Sequence, residues 1–219
     1  MLIIGAKGFA KEVLETLVVE NKYSKDIFFY DDVNDNVGGY LYNRFKIFKS
    51  LEEVKESLGD KFEFNVGIGN PFLRKILIEK FEALGGKLTS IVSDLSKVGS
   101  FDNHIGEGAN IMAGTIITNS IILGKAPLIN LNCTIGHDCE IGDFLEISPG
   151  SHISGCCKIG NFVTIGTNAT VLPKVKIGSN VVVGAGSVVT KDVPDNCLVV
   201  GVPAKVIKYI EIDKRLNWF

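Results

Sequence analysis

The 219-residue chain is short of charge imbalance, of long apolar runs, and of cysteine and histidine. Lys and Arg number 23 against 25 Asp and Glu, a formal net charge of −2. A protein that grips nucleic-acid backbone or an anionic membrane surface concentrates positive charge, so neither is expected as a partner. No uncharged apolar stretch approaches the roughly 18 to 20 residues of a membrane span, and Leu2-Ile3-Ile4 is far too short for the core of a signal peptide. Five cysteines, an odd number with Cys156 and Cys157 adjacent, make a poor disulfide framework and contain no CxxC pair for zinc. They read as reduced thiols, and a cytoplasmic setting is expected. What the chain has is 46% hydrophobic residues, enough for a sizeable core, and a length that suits one or two domains.

It also has a repeat. Stepping six residues at a time from Ile105 reaches Ile111, Ile117, Leu123, Ile129, Ile135, Ile141, Ile147, Ile153, Ile159, Ile165, Val171, Ile177, Val183 and Val189, an aliphatic at every step. Neither an α-helix nor an alternating strand has a period of six. Glycine often follows the aliphatic, as at Gly106, Gly124, Gly136, Gly142, Gly160, Gly166, Gly178 and Gly184, so a turn recurs with each unit. A six-residue strand and turn cannot bury its own apolar side chain, and the units must coil around a shared axis.

This pattern resembles the hexapeptide-repeat acyltransferases, whose left-handed parallel β-helix takes three hexapeptides per coil. The resemblance implies about five coils here. Residues three hexapeptides apart then stack, giving small columns Cys133, Ser151, Ala169 and Ser187, and Cys139, Cys157 and Val175, suited to a corner of limited volume. Three cysteines are thereby expected as filler, with a reactive or disulfide-bonded Cys139 and Cys157 as the rival reading. Neither the interval from His104 to His137 nor that from His137 to His152 is a whole number of coils, so the three histidines fall on different coil positions and form no metal site within one subunit.

Before the coil, strands and helices alternate. Leu2-Ile3-Ile4 reads as a strand, Gly5-Ala6-Lys7-Gly8 as a turn, and Phe9 to Leu17 as a helix with Phe9, Val13, Leu14 and Leu17 on one face. Ile27 to Tyr30 is a second strand, followed by a loop with Gly38-Gly39. Ser50 is expected to cap a helix through Leu58, with Glu53 completing a capping box. Phe62 to Ile68 is a third strand, and Phe72 to Leu84 a helix stopped by Gly85-Gly86. The order implies a small α/β, Rossmann-like domain over residues 1–95, then a left-handed β-helix domain over 96–219, with the boundary near Asp94 to Gly99. Past Val189 the six-step reaches Asp195 and the coil should end. Pro194 and Pro203 bracket an extended tail, and Tyr209 to Phe219, with Glu211, Asp213, Lys214 and Arg215, reads as a solvated closing segment.

His137, in Ile135-Gly136-His137-Asp138, sits just past an axis residue, where side chains leave the core. One coil on stands Gly155, and space beside a histidine suits a substrate chain. The opening Gly5-Ala6-Lys7-Gly8 is not a full dinucleotide fingerprint, because Lys7 and Ala10 hold the second and third glycine positions of GxGxxG.

Several segments together are similar to the amino-sugar acetyltransferases of the bacillosamine, perosamine and sialic-acid type. They are Asn130, Gly136-His137-Asp138, the run Val183 to Pro194, the tail Val200-Gly201-Val202-Pro203-Ala204-Lys205, the opening Ile3-Ile4-Gly5-Ala6-Lys7-Gly8 and Tyr30-Asp31-Asp32. That resemblance implies a trimeric enzyme that moves the acetyl group of acetyl-CoA to a nucleotide-linked amino sugar, without a metal. It implies His137 as general base, a role suited to a group titrating near neutral pH, with Asp138 orienting the ring. It implies Gly5, Ala6, Lys7 and Gly8 around the nucleotide diphosphate at a helix N-terminus, Asp31 and Asp32 on the nucleoside, and Asn130 at the acceptor. Gly155 and Ala185 would lie where the cofactor nears the main chain, with Lys191 and Lys205 meeting its phosphates. Glu146 stands where several relatives carry a second histidine, and a carboxylate there can hold the acceptor ammonium. A hydroxyl acceptor, as in sialate O-acetylation, and a silent trimeric scaffold are the rival functions.

Overall fold

The computed structural model describes residues 1–20, 26–34 and 38–211. Contacts divide the chain into two compact units, Met1–Gly69 with Leu73–Ile91, and Asn70–Phe72 with the chain from Val92 onward.

The first unit is an α/β layer. Its elements are β1 (Leu2–Ile4), α1 (Phe9–Val19), β2 (Phe28–Tyr30), β3 (Tyr40–Leu41), β4 (Phe45–Phe48), α2 (Leu51–Leu58), β5 (Phe62–Val66), α3 (Pro71–Ala83) and β6 (Gly86–Leu88). They form a sheet of order β3-β4-β2-β1-β5-β6, parallel except for the β3/β4 edge pair. Alternation along each strand serves two cores. Ile3, Phe29 and Ile47 meet Ala10, Val13, Leu14 and Leu17 of α1. On the opposite side, Phe81 of α3 packs edge-on against Tyr30 with ring centroids 5.0 Å apart and against Phe64 at 5.8 Å. Phe9, expected on the buried face of α1, is only half-buried, and Ala10 takes its place. Ser50 caps α2 by accepting from the Glu53 N–H, while Glu53 reaches back to the N–H of Lys49 rather than of Ser50, at 2.8 Å. Between Gly38 and Ser50, where the sequence suggests a loop, β3 and β4 form a hairpin too short to show a period.

The second unit is a triangular prism of two-residue parallel strands. The first face stacks Asn110–Ile111, Leu128–Ile129, Glu146–Ile147, Thr164–Ile165 and Val182–Val183. The second stacks Ile116–Ile117, Thr134–Ile135, His152–Ile153, Thr170–Val171 and Val188–Val189. The third stacks His104–Ile105, Ile122–Leu123, Glu140–Ile141, Lys158–Ile159 and Lys176–Ile177. Every one of these pairings spans three hexapeptides, as the coil requires. The axis aliphatics from Ile111 to Val189 are buried together, and the half-buried Ile105 packs against them.

Each corner turns through one residue with left-handed φ. On the corner between the first and second faces these are Gly114, Asn132, Gly150, Asn168 and Gly186, residue types that tolerate the conformation. Between the second and third faces they are Asp102, Ser120, Asp138, Cys156 and Lys174. At the remaining corner the recurrent glycine has a separate cause. Asp143 Oδ1 accepts the N–H of Lys125 one coil earlier at 2.7 Å, and Asn161 Oδ1 that of Asp143 at 2.7 Å. A Cβ on Gly124 or Gly142 would sit on those acceptor oxygens.

The two small columns are interior hydrogen-bonding rails. Cys133 Sγ donates to the Ser148 carbonyl at 3.3 Å, Cys139 to Ser154 at 3.3 Å, Ser151 Oγ to Gly166 at 2.8 Å and Cys157 to Leu172 at 3.3 Å. All five cysteines are free, and its Cys157 neighbour together with burial pushes the Cys139 thiol up, which makes it inert.

The ends depart from the arithmetic. The coil begins before Ile105, with Lys97–Val98 stacked on Ile116–Ile117 across one residue more than a regular coil. Asn103 ties off the extra residue by donating to the carbonyls of Gly99 (2.8 Å) and Thr118 (2.7 Å) and accepting from the Ile121 N–H. At the other end the coil is shortened, so that Val183 pairs with Val199 and Ile177 with Val193. The tail is a hairpin of Cys197–Gly201 and Ala204–Tyr209 rather than a single extended segment. The closing segment expected beyond Glu211 lies outside the described residues.

Candidate active site

His137 and Asp138 lie on the corner between the second and third faces. Adjacent strand residues point to opposite sides, yet the left-handed φ of 58° at Asp138 swings its carboxylate back. His137 Nδ1 and Asp138 Oδ2 stand 2.6 Å apart. A carboxylate only accepts, so Nδ1 carries the proton and Nε2 is the nitrogen left with its lone pair. Both side chains are exposed, 66% and 59%.

Gly155 is one coil away, but it does not leave a vacant slot for a substrate chain. The imidazole itself fills the space: a Cβ on Gly155 would lie 2.7 Å from His137 Nε2 and 2.8 Å from Cε1. Glycine here lets the ring come close to the main chain, and the Cys156 N–H donates to the His137 carbonyl at 2.7 Å. Sequence reasoning missed the next residue of this corner, although the same step of one coil leads from Asp138 to Cys156. The ligand atoms of His137, Asp138 and Cys156 all lie within 4.8 Å of one another. Beside Asp138 on the third face is a hollow of about 350 Å³ lined by Asp102, His104, Ser120, Ile122 and Glu140. Of the other two histidines, His104 lines that hollow and faces Asp102 at 3.4 Å, and His152 on the second face shares a 3.0 Å hydrogen bond with Thr134.

The remaining coil candidates fall elsewhere. Glu146 is half-buried on the outward side of the first face, where Ser148 Oγ donates to its Oε1 at 2.9 Å. Asn130 and Ala185 lie on the corner between the first and second faces, and Asn130 Oδ1 accepts from the Leu131 N–H at 2.7 Å. Within one chain none of these shares an edge of the prism with His137. Lys191 and Lys205 are exposed.

In the first unit the turn after β1 is built by Asp31. This buried carboxylate accepts from the Ala6 N–H at 3.2 Å, from the Asn34 N–H at 2.9 Å and from the Asn34 side-chain amide at 3.0 Å. Lys7 Nζ donates to Asn34 Oδ1 at 2.8 Å. Gly8 starts α1 with φ 40° and no side-chain cap, and in the first turn the N–H groups of Ala10 and Lys11 donate to the carbonyls of Lys7 at 2.9 Å and Gly8 at 3.1 Å. The glycine missing from the third fingerprint position is replaced from the opposite side: a Cβ on Gly67 would lie 2.7 Å from Ala10 Cα. Asp32 is exposed, and its carboxylate accepts from the Tyr30 hydroxyl at 2.7 Å and faces Lys80 Nζ at 3.4 Å. Burial pushes this carboxyl up, but the Tyr30 hydroxyl and Lys80 outweigh it and hold it below the usual range. Burial, with Asp32 beside it, raises the Tyr30 hydroxyl.

Two family models match: the PglD N-terminal domain over residues 1–81, and the bacterial transferase hexapeptide of six repeats over 156–191. GDP-perosamine N-acetyltransferase of Escherichia coli O157:H7 is 30% identical over 158 residues, 70% of this chain and 69% of that protein. The chain belongs to the hexapeptide-repeat nucleotide-amino-sugar N-acetyltransferases. Among solved structures, PerB from Caulobacter crescentus in complex with CoA and GDP-perosamine is 30% identical, covering 94% of this chain and 96% of that one with a TM-score of 0.81. The acetyltransferase domain of PglB from Neisseria gonorrhoeae in complex with acetyl coenzyme A is 33% identical over 94% and 98% of the two chains, TM-score 0.85. As a member of this family of left-handed β-helix enzymes, the chain is an acyltransferase. Among the described residues no helix is long and apolar enough to cross a membrane.

Proposed function

We propose that this acyltransferase moves the acetyl group of acetyl-CoA onto the amine of a nucleotide-linked amino-deoxy sugar for surface-glycan assembly, with His137 as general base. The observation that carries the reading is the 2.6 Å His137–Asp138 hydrogen bond with Nε2 turned away from it over Gly155. The relatives crystallised with CoA and GDP-perosamine support the substrate classes. In the reaction the sugar amine attacks the thioester carbonyl and forms the C–N bond. Its proton passes to Nε2, and the C–S bond breaks to release CoA. Asp138 keeps Nδ1–H in place and stabilises the imidazolium that forms.

The residues fit acetyl-CoA in one respect: the exposed Ala185 carries little side chain where a pantetheine amide would pair with main-chain groups, while Gly155 gives its space to the imidazole that the thioester would meet. Gly155 and Ala185 lie on different corners of the prism, and Glu146 stands on the first face, away from the His137 corner. A complete site therefore takes one corner from each of two protomers, which supports a trimer. Glu146 and Asn130 hold the acceptor, and Lys191 and Lys205 meet cofactor phosphates. In the α/β unit the turn that leads into α1, formed by Gly5, Ala6, Lys7 and Gly8, receives the diphosphate. Asp31 holds that turn in shape, and Asp32 faces the nucleoside.

The test is acetyl transfer to GDP-perosamine and to UDP- and dTDP-linked amino sugars. His137→Ala should lower the chemical step by about 10²-fold or more while CoA binding stays nearly intact. Wild-type turnover in that variant removes His137 as the base. Transfer confined to hydroxyl acceptors removes the amine.

A further inference from the structure

We propose that His137, Asp138 and Cys156 form a zinc site whose occupation switches the enzyme off. The three donors are an imidazole nitrogen, a carboxylate oxygen and a thiol sulfur, gathered within 4.8 Å from two adjacent coils. Stacking along one corner brings them together: Asp138 and Cys156 are successive left-handed corner residues, φ 58° and 62°, and His137 precedes the first. Nitrogen, sulfur and oxygen are the zinc ligand set, and three protein ligands with a solvent molecule make the tetrahedral arrangement. In a zinc site with bonds of about 2.0 to 2.3 Å, donors lie roughly 3.3 to 3.8 Å apart. Reaching that spacing takes rotation of the two exposed side chains, with the metal taking the place of the 2.6 Å His137–Asp138 hydrogen bond.

Cys156 is the one cysteine of the chain that is not buried; Cys133, Cys139, Cys157 and Cys197 all are. It makes none of the interior hydrogen bonds to the main chain that occupy the buried four. On binding, the thiol gives its proton to solvent and the thiolate takes the metal, so affinity falls as the pH is lowered. Either imidazole nitrogen serves the switch. A metal on Nε2 takes the base itself, and a metal on Nδ1 forces the proton onto Nε2. The inhibition rests on His137 being the base; the metal site does not.

The experiment uses the full-length, metal-stripped protein. Zinc binding is followed by calorimetry and cobalt binding by its thiolate charge-transfer absorption, in the wild type and in Cys156→Ser. One ion per chain and a thiolate–cobalt band are expected in the wild type. Cys156→Ser should lose the band and bind zinc about 100-fold more weakly, at or beyond the upper end of what removing a supporting outer-shell partner does. The variant should turn over like the wild type in the absence of metal and resist zinc that halves wild-type activity, and a chelator should restore the wild type. No thiolate–cobalt band, or a band unchanged in Cys156→Ser, overturns the site. A band with undiminished turnover in zinc upholds the metal site but overturns the switch, and with it the assignment of His137 as base.

Discussion

Gly155 decides where the imidazole of His137 lies, and one methyl group tests it. In Gly155→Ala the new Cβ meets Nε2 at 2.7 Å, but the ring is exposed and swings away at little cost to the fold. Turnover should therefore fall by about 10²-fold, the usual effect of moving a catalytic group by about 1 Å, with the melting temperature nearly unchanged. Steady-state rates beside a thermal melt check it, and a large loss of stability would mean that the glycine serves packing instead. Asp32 makes a different prediction, one of pH. Its folded pKa lies below the unfolded value, so its contribution to stability is present above the ordinary carboxylate pKa of about 4 and is lost as pH falls through the folded one. Asp32→Asn should be destabilised at neutral pH, and its gap from the wild type in melting temperature should close under acid. A gap independent of pH would assign the effect to packing.

Among elements, the hexapeptide is the unit whose logic the sequence carries openly. A buried aliphatic at every sixth position needs no tertiary information to be recognised, and nearly every interior strand followed from it. The failures have two causes, a non-local interaction that overrode the period and an element too short to show one. The extra residue before His104 is held by Asn103, whose partners Gly99, Thr118 and Ile121 are adjacent only after coiling. The β3/β4 hairpin is too short for alternation to register. At the site, His137 was legible from its place after an axis residue, whereas its contact with Asp138 depends on a left-handed φ that aspartate does not announce. Cys156 needed one more step along the same corner. The glycine that follows so many aliphatics has a stated reason at Gly142, and replacing it should cost accordingly. Gly142→Ala drives a methyl onto Asn161 Oδ1 and breaks the rung it makes with the Asp143 N–H, so a loss of about 1–3 kcal/mol is expected, as for overpacking. Gly38→Ala, with open space around it, is the control. Equal denaturation midpoints for the two variants would remove the rung from the account.

For the molecule as a whole, the separation of His137 from Glu146 and Ala185 by the width of the prism gives a prediction about assembly. Two variants, each silent alone, should complement one another when mixed as subunits: His137→Ala supplies intact Glu146 and Ala185, and Ala185→Trp supplies the proposed base. Unfolding and refolding an equimolar mixture should restore a fraction of wild-type acetyl transfer that neither variant shows alone. Light scattering should give three chains per particle. Activity that stays absent in mixed assemblies, or a monomer that still turns over, would confine the site to one chain.

The way the coil stops has a consequence for solubility. Stacked parallel strands whose peptide groups all point along one axis have the geometry of an amyloid protofilament, and a bare last rung would be a template for the next molecule. Here the rung is altered before it can serve. The last coil is cut short, the first face finishes in a strand that runs the opposite way, and Pro194 brings an imide with no hydrogen to offer beside the last pairing of the third. The same repetition that lets the axis build itself would, left unedited, let it continue into a neighbour. The short hairpin from Cys197 to Tyr209 thus keeps a self-propagating architecture finite, and a chain trimmed before it would be expected to grow end to end.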